Sequence, residues 1–80
     1  MEGSPPDWAL QETVRKEASL TKKELEILLL LCQGLRDKEI ARQLCKESCT
    51  VSSQLRPIYK KLDVHNRIQA VVWAIKKGIV

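Results

Sequence analysis

An all-α domain of four helices, preceded by a short lead-in at residues 1–19, is what these 80 residues specify. Apolar residues recur at helical spacing from Leu20 onward, and no segment alternates as a half-buried strand would. Helix-start and helix-stop residues punctuate the chain at matching intervals. Aromatic residues make up only 4% and Phe is absent, so the core is aliphatic; an all-β fold wants more aromatic and β-branched side chains. One core is all this length accommodates. A chain so short buries only about 60% of its unfolded surface, which makes for modest stability.

The lead-in contains EGSPPD, a turn or linker composition. Asp7 is then placed to cap a short helix through WALQETVRKEA, with Leu10, Val14 and Ala18 on one side. The main domain, residues 20–80, opens on LTKKEL. Thr21 caps, Glu24 closes a capping box, and Leu20 with Leu25 form a hydrophobic staple. That helix stops at Gly34, and its apolar residues wrap most of its circumference, so it belongs at the centre. A short second helix over 37–44 has Asp37 as its cap and Ile40, Ala41 and Leu44 inward, leaving Arg36, Lys38 and Arg42 outside. The link CKES leads to a third helix from Ser48, with Val51, Leu55, Ile58 and Leu62 on one face. After the turn DVHN, Asn66 caps a fourth helix, Gln69 takes the capping-box position and Gly78 closes it. On that helix Ile68, Val71, Val72 and Ile75 suit the core, while Ala70, Trp73 and Ala74 extend an apolar surface beyond it.

Charge is unevenly spread. Residues 1–19 carry two basic and four acidic side chains, residues 20–80 twelve and six, so the folded part is basic. That balance favours a polyanionic partner. No apolar run is longer than 27–32, which is far short of the roughly 18 residues of a membrane span. The Pro-containing, acidic N-terminus does not read as a signal peptide, and three cysteines cannot pair off internally, so a reducing cytoplasm is the expected compartment. Cys45 and Cys49 with Cys32 and His65 are poorly spaced for zinc, and no metal or other cofactor is expected. Cys49, at a helix start near basic groups, invites comparison with low-pKa redox thiols, though a plain surface or half-buried thiol is the favoured account. With one histidine, no glycine-rich phosphate loop and no nucleophile beside a base, the chain offers no catalytic constellation and no small-molecule site.

A short helix, a tight link and a longer helix with basic residues outward form a helix-turn-helix. The pieces LTKKE, GL, KEIA, TV, KKLDVHNR and QAVVWA, in that order and spacing, resemble the LuxR/GerE-type helix-turn-helix domain of bacterial transcription regulators. The resemblance implies a four-helix domain that binds double-stranded DNA, usually as a homodimer through the fourth helix. It places base reading on Ser52, Ser53 and Arg56, and phosphate contact on Thr50, Gln54, Lys60, Lys61 and Lys38. The dimer contact falls on Ala70, Trp73 and Ala74. Arg56 has the chemistry for guanine O6 and N7. Lys46 stands where the family usually has an apolar core residue, Glu47 occupies the cap site, and Ser48 offers a cap one residue later. Pro57 falls inside the third helix, on the side away from the core, where water can satisfy the Ser53 carbonyl it orphans. Two readings stay open: a DNA-binding domain, and a degenerate helix-turn-helix domain working through protein contact or dimerisation.

Overall fold

The computed structural model describes residues 7–79, with the side chains of Asp7 and Trp8 excepted. The turn-like stretch through Pro6, the capping role expected of Asp7, and Val80 lie outside that description. Five helices follow in order: α1 Asp7–Glu17, α2 Lys22–Cys32, α3 Asp37–Leu44, α4 Ser48–Leu62 and α5 Arg67–Lys77. No strand occurs among the described residues.

α2 is central and packs against α3, α4 and α5. Ile27, Leu28 and Leu31 are fully buried, while Leu25, Leu29, Leu30 and Cys32 pack partly buried around them. Burial pushes the Cys32 thiol pKa up, so it behaves as a small apolar side chain. Val14 from α1 and Leu20 from the following turn join the same core, with Ala18 beside them. Gln11 donates to the Ile79 carbonyl, which ties α1 to the far end of the chain, and Arg15 donates to the nearby Leu20 carbonyl.

The start of α2 is built as its sequence specifies. Thr21 Oγ1 accepts from the Glu24 N–H at 3.1 Å, and Glu24 Oε1 accepts from the Thr21 N–H at 2.9 Å. The same Glu24 oxygen accepts from Lys61 Nζ at 2.7 Å, joining the start of α2 to the end of α4.

Helix ends carry more than the glycines announce. α1, α3 and α4 terminate at Ser19, Cys45 and Asp63, all left-handed with φ near +60° although none is glycine. Each of these ends closes with a 6→1 backbone bond: Leu20 N–H to Arg15 O, Lys46 N–H to Ala41 O and Val64 N–H to Tyr59 O. Such a turn is normally plugged by an apolar residue just past the left-handed one. Leu20 and Val64 pack there, as does Ile79 after Gly78. At the end of α3 the plug position holds Lys46, which is half-buried and sends its ammonium 3.5 Å from Gln54 Oε1. The stem fills the apolar place and the charge stays near water.

Three capping expectations need correction. Asp37 is the first residue of α3, not its cap; the Arg36 N–H is satisfied by Glu39 Oε1 at 2.8 Å. Ser48 is likewise inside α4, whose cap residue Glu47 makes no side-chain capping bond. Gln69 reaches one residue further than a capping box requires: Asn66 Oδ1 accepts from the Gln69 N–H, but Gln69 Oε1 accepts from the His65 N–H.

α4 remains continuous through Pro57, which is exposed. Four buried residues on the opposite face hold the helix in place. Replacing Pro57 by Ala should therefore raise unfolding free energy, by up to about 3 kcal/mol, with the helix count unchanged; urea titration followed by circular dichroism measures this. A second expectation concerns acid. Burial opposes ionisation of Glu24, but hydrogen bonds from Lys61 and the Thr21 N–H outweigh it and hold the carboxyl below the ordinary glutamate value. A depressed native pKa supplies stability that is complete above the unfolded value and disappears as pH falls through the native one. The stability difference between wild type and Glu24→Gln should thus shrink below about pH 4.5; a difference constant from pH 7 to pH 3 would contradict it.

Candidate nucleic-acid interface

The buried stripe of α4 is Val51, Leu55, Ile58 and Leu62, at intervals of four, three and four residues. That spacing turns Ser52, Ser53, Arg56 and Lys60 outward, and all four are exposed. α3 lies against α4 with Ile40 and Ala41 buried between them, which sets the corner of the helix-turn-helix. Lys38 on α3 and Thr50 at the start of α4 are exposed along the same region of chain. The residues expected to read bases therefore share one accessible face.

Side-chain partners divide these residues further. Arg56 and Lys60 enter no ion pair among the described residues. Lys61 is held by Glu24, and Gln54 is half-buried with its oxygen toward Lys46. Ser52 Oγ donates to Asp37 Oδ2 at 2.5 Å, a short bond of the charge-assisted kind. Beside it opens a depression of about 480 Å³ whose lining includes Asp37, Ser52, Arg56, Tyr59, His65 and Arg67. Arg67 donates to the Leu35 carbonyl, so its guanidinium is anchored to the turn before α3. The Tyr59 hydroxyl is pushed above its ordinary pKa, chiefly by burial; Asp37 adds to the shift and Arg67 opposes it.

Sequence reasoning missed Asp37 and Arg67 as parts of this surface. Asp37 passed for a helix cap because aspartate before an apolar stripe ordinarily is one. Arg67 follows a capping asparagine and carries no periodic signal of its own. Their meeting depends on how α3 and α5 pack around α4, which no local pattern encodes.

The two faces of α5 are the reverse of the sequence expectation. Ala70 and Ala74 are 0% exposed and belong to the core, whereas Ile68, Val72 and Ile75 are 71%, 43% and 58% exposed. Ala70 and Ala74 are thus unavailable to a partner, and Trp73 is half-buried against the core with Lys77 Nζ 5.8 Å from its ring centre. The reason is distance: α5 approaches α2 and α4 closely, and a methyl group fills a contact that a branched chain would force apart. An apolar groove of about 780 Å³ lies beside the exposed strip, lined by Leu31, Cys32, Ile68, Val71 and Val72 and flanked by Arg36 and Arg67.

Among the described residues, no group of three His, Cys, Asp or Glu side chains is arranged to hold a metal ion. Nor is any of their helices long and apolar enough to cross a membrane. Cys45 and Cys49 are exposed, and both are free thiols.

Residues 18–74 match the family described as bacterial regulatory proteins, luxR family. The chain is 42% identical over 69 residues to the transcriptional regulatory protein LiaR of Bacillus subtilis (strain 168), covering 86% of this chain and 33% of LiaR. It is 41% identical over 70 residues to DesR of the same organism, covering 86% and 35%. To the nitrate/nitrite response regulator protein NarL of Escherichia coli (strain K12) it is 37% identical over 67 residues, covering 84% and 31%. The chain spans about a third of the length of these relatives. With its helix-turn-helix intact and more than half its length matched, the chain belongs to the LuxR family of bacterial regulatory proteins.

Proposed function

We propose that residues 20–80 form a sequence-specific DNA-binding domain of a bacterial transcription regulator, working in the cytoplasm, with α4 in the major groove. The observation that carries this reading is the exposed row Ser52, Ser53, Arg56 and Lys60 opposite the buried stripe of α4. Arg56 supplies a fork of donors for guanine, and the serines make smaller contacts to base edges. Lys60, Lys38 and Thr50 lie free for phosphates; Lys61 joins them by exchanging its Glu24 partner for a phosphate, and Gln54 by its amide. Residues 1–19 act as lead-in. Nothing in this reading calls for catalysis or a bound cofactor.

We further propose a homodimer through α5, revised in its residues. The strip Ile68, Val72 and Ile75 has the exposure an isologous contact needs, and the groove beside it can receive the same strip from a second copy. Paired copies then meet paired half-sites.

Fluorescence anisotropy with duplexes selected from a randomised pool tests the first reading. Affinity should fall steeply with salt, and Arg56→Ala should lose about 1–3 kcal/mol of discrimination at one base position. A chain that self-associates yet shows no binding even at low salt would instead be a degenerate domain acting through protein contact. For the dimer, Val72→Asp should keep the helical circular-dichroism signal while sedimentation shifts from two copies to one at the same concentration. An unchanged sedimentation coefficient in a dimeric sample would exclude this face.

A further inference from the structure

The hydrogen bond between α4 and the start of α3 fixes more than a contact. A helical serine ordinarily turns its hydroxyl back to the carbonyl four residues before it, or rotates freely to donate or accept as a ligand demands. Ser52 does neither. Its Oγ lies 2.5 Å from Asp37 Oδ2, and an ionised carboxylate has no proton to give, so the shared proton is the serine's. What Ser52 then presents outward is lone pairs alone. Asp37 adds its own negative oxygens to the same spot, so the two side chains have one polarity.

In the major groove adenine N6 and cytosine N4 are donors, whereas guanine O6, thymine O4 and the N7 of either purine are acceptors. We propose that Asp37 is a specificity-determining residue that converts Ser52 into an acceptor-only reader. The pair selects an amino base, A or C, over a keto base, G or T, on the strand it touches. On this pair an amino group finds lone pairs and a favourable charge, whereas a keto oxygen finds no donor and a repelling carboxylate. This rests on the DNA-binding reading above and adds to it the base class at one position. Arg56, one helical turn along the same face, has the opposite polarity, so the two contacts are not interchangeable.

Both side chains lie outside the buried core, so variants keep the fold, which circular dichroism checks. A randomised duplex pool is selected on the 80-residue chain and on Ser52→Ala; the position whose preference changes is the one Ser52 contacts. There the wild type should favour A or C over G or T by roughly three- to tenfold, the worth of one hydrogen bond. Asp37→Asn, whose amide offers donors as well as an acceptor, should bring that ratio near one while other positions keep theirs. Removing a negative charge strengthens binding to every sequence alike, so the ratio is read and not the affinity. A keto preference in the wild type, an unchanged ratio in Asp37→Asn, or no position altered by Ser52→Ala overturns the proposal. Absence of any consensus removes sequence-specific binding itself and the proposal with it.

Discussion

Burial of one face of α4 governs what its other face can do. Val51, Leu55, Ile58 and Leu62 are enclosed by α2, α3 and α5, and each buried aliphatic side chain contributes about 1.5–3 kcal/mol. A slip of one residue would rotate the helix by about 100° and put Ser52, Arg56, Tyr59 and Asp63, or Thr50, Gln54, Pro57 and Lys61, where these four now sit. The stripe thus fixes orientation as well as position. It also outweighs the helix breaker beside it: four such burials exceed the ~3 kcal/mol ceiling for an interior proline. Pro57 survives because it stands on the wet side, where the carbonyl it leaves unpaired meets solvent.

Sequence patterns speak clearly about what is local. The capping box at Thr21 and Glu24, the limits of α3 and α4, and the left-handed Gly34 and Gly78 follow from side chains within a few residues of one another. The inward stripe of α4 is legible for the same reason, since its neighbours in space are one turn away in sequence. α5 fails that test. Judged by hydrophobicity, Ile68 and Ile75 belong inside and alanines on the rim, yet close helix packing selects by size at the point of approach. The separation of α5 from α2 and α4 is a tertiary quantity, and no residue on α5 states it. Asp37 is hidden in the same way: capping is a local role, whereas its partner Ser52 lies fifteen residues on.

The ends of the helices show where sequence and fold are in tension. Ser19, Cys45 and Asp63 adopt a backbone region that favours glycine, and each costs on the order of 1 kcal/mol or more to hold there. Leu20 and Val64 offset that by packing an apolar side chain over the turn. Lys46 cannot do so completely, because only the stem of its half-buried side chain is apolar. What the corner loses in plugging it recovers in charge, because the ammonium stands next to Gln54 at the edge of the proposed interface. A basic group there acts on any phosphate regardless of sequence.

The proposed reading also explains why an apolar strip should remain on so small a domain. Of the three proposed base-reading residues on α4, only Arg56 has a bidentate donor fork, and one such contact discriminates by about 1–3 kcal/mol. Single hydrogen bonds from the serines add about 0.5–1.5 kcal/mol each. Specific sites are typically preferred over random DNA by about 4–10 kcal/mol, so one copy reaches only the bottom of that range. Two copies on paired half-sites double the discriminating contacts without enlarging either domain. The exposure of Ile68, Val72 and Ile75, costly in an isolated monomer, is then the counterpart of a sparse reading face. On the proposed reading, economy on α4 and apolar exposure on α5 are two consequences of one design, in which selectivity would be reached by pairing.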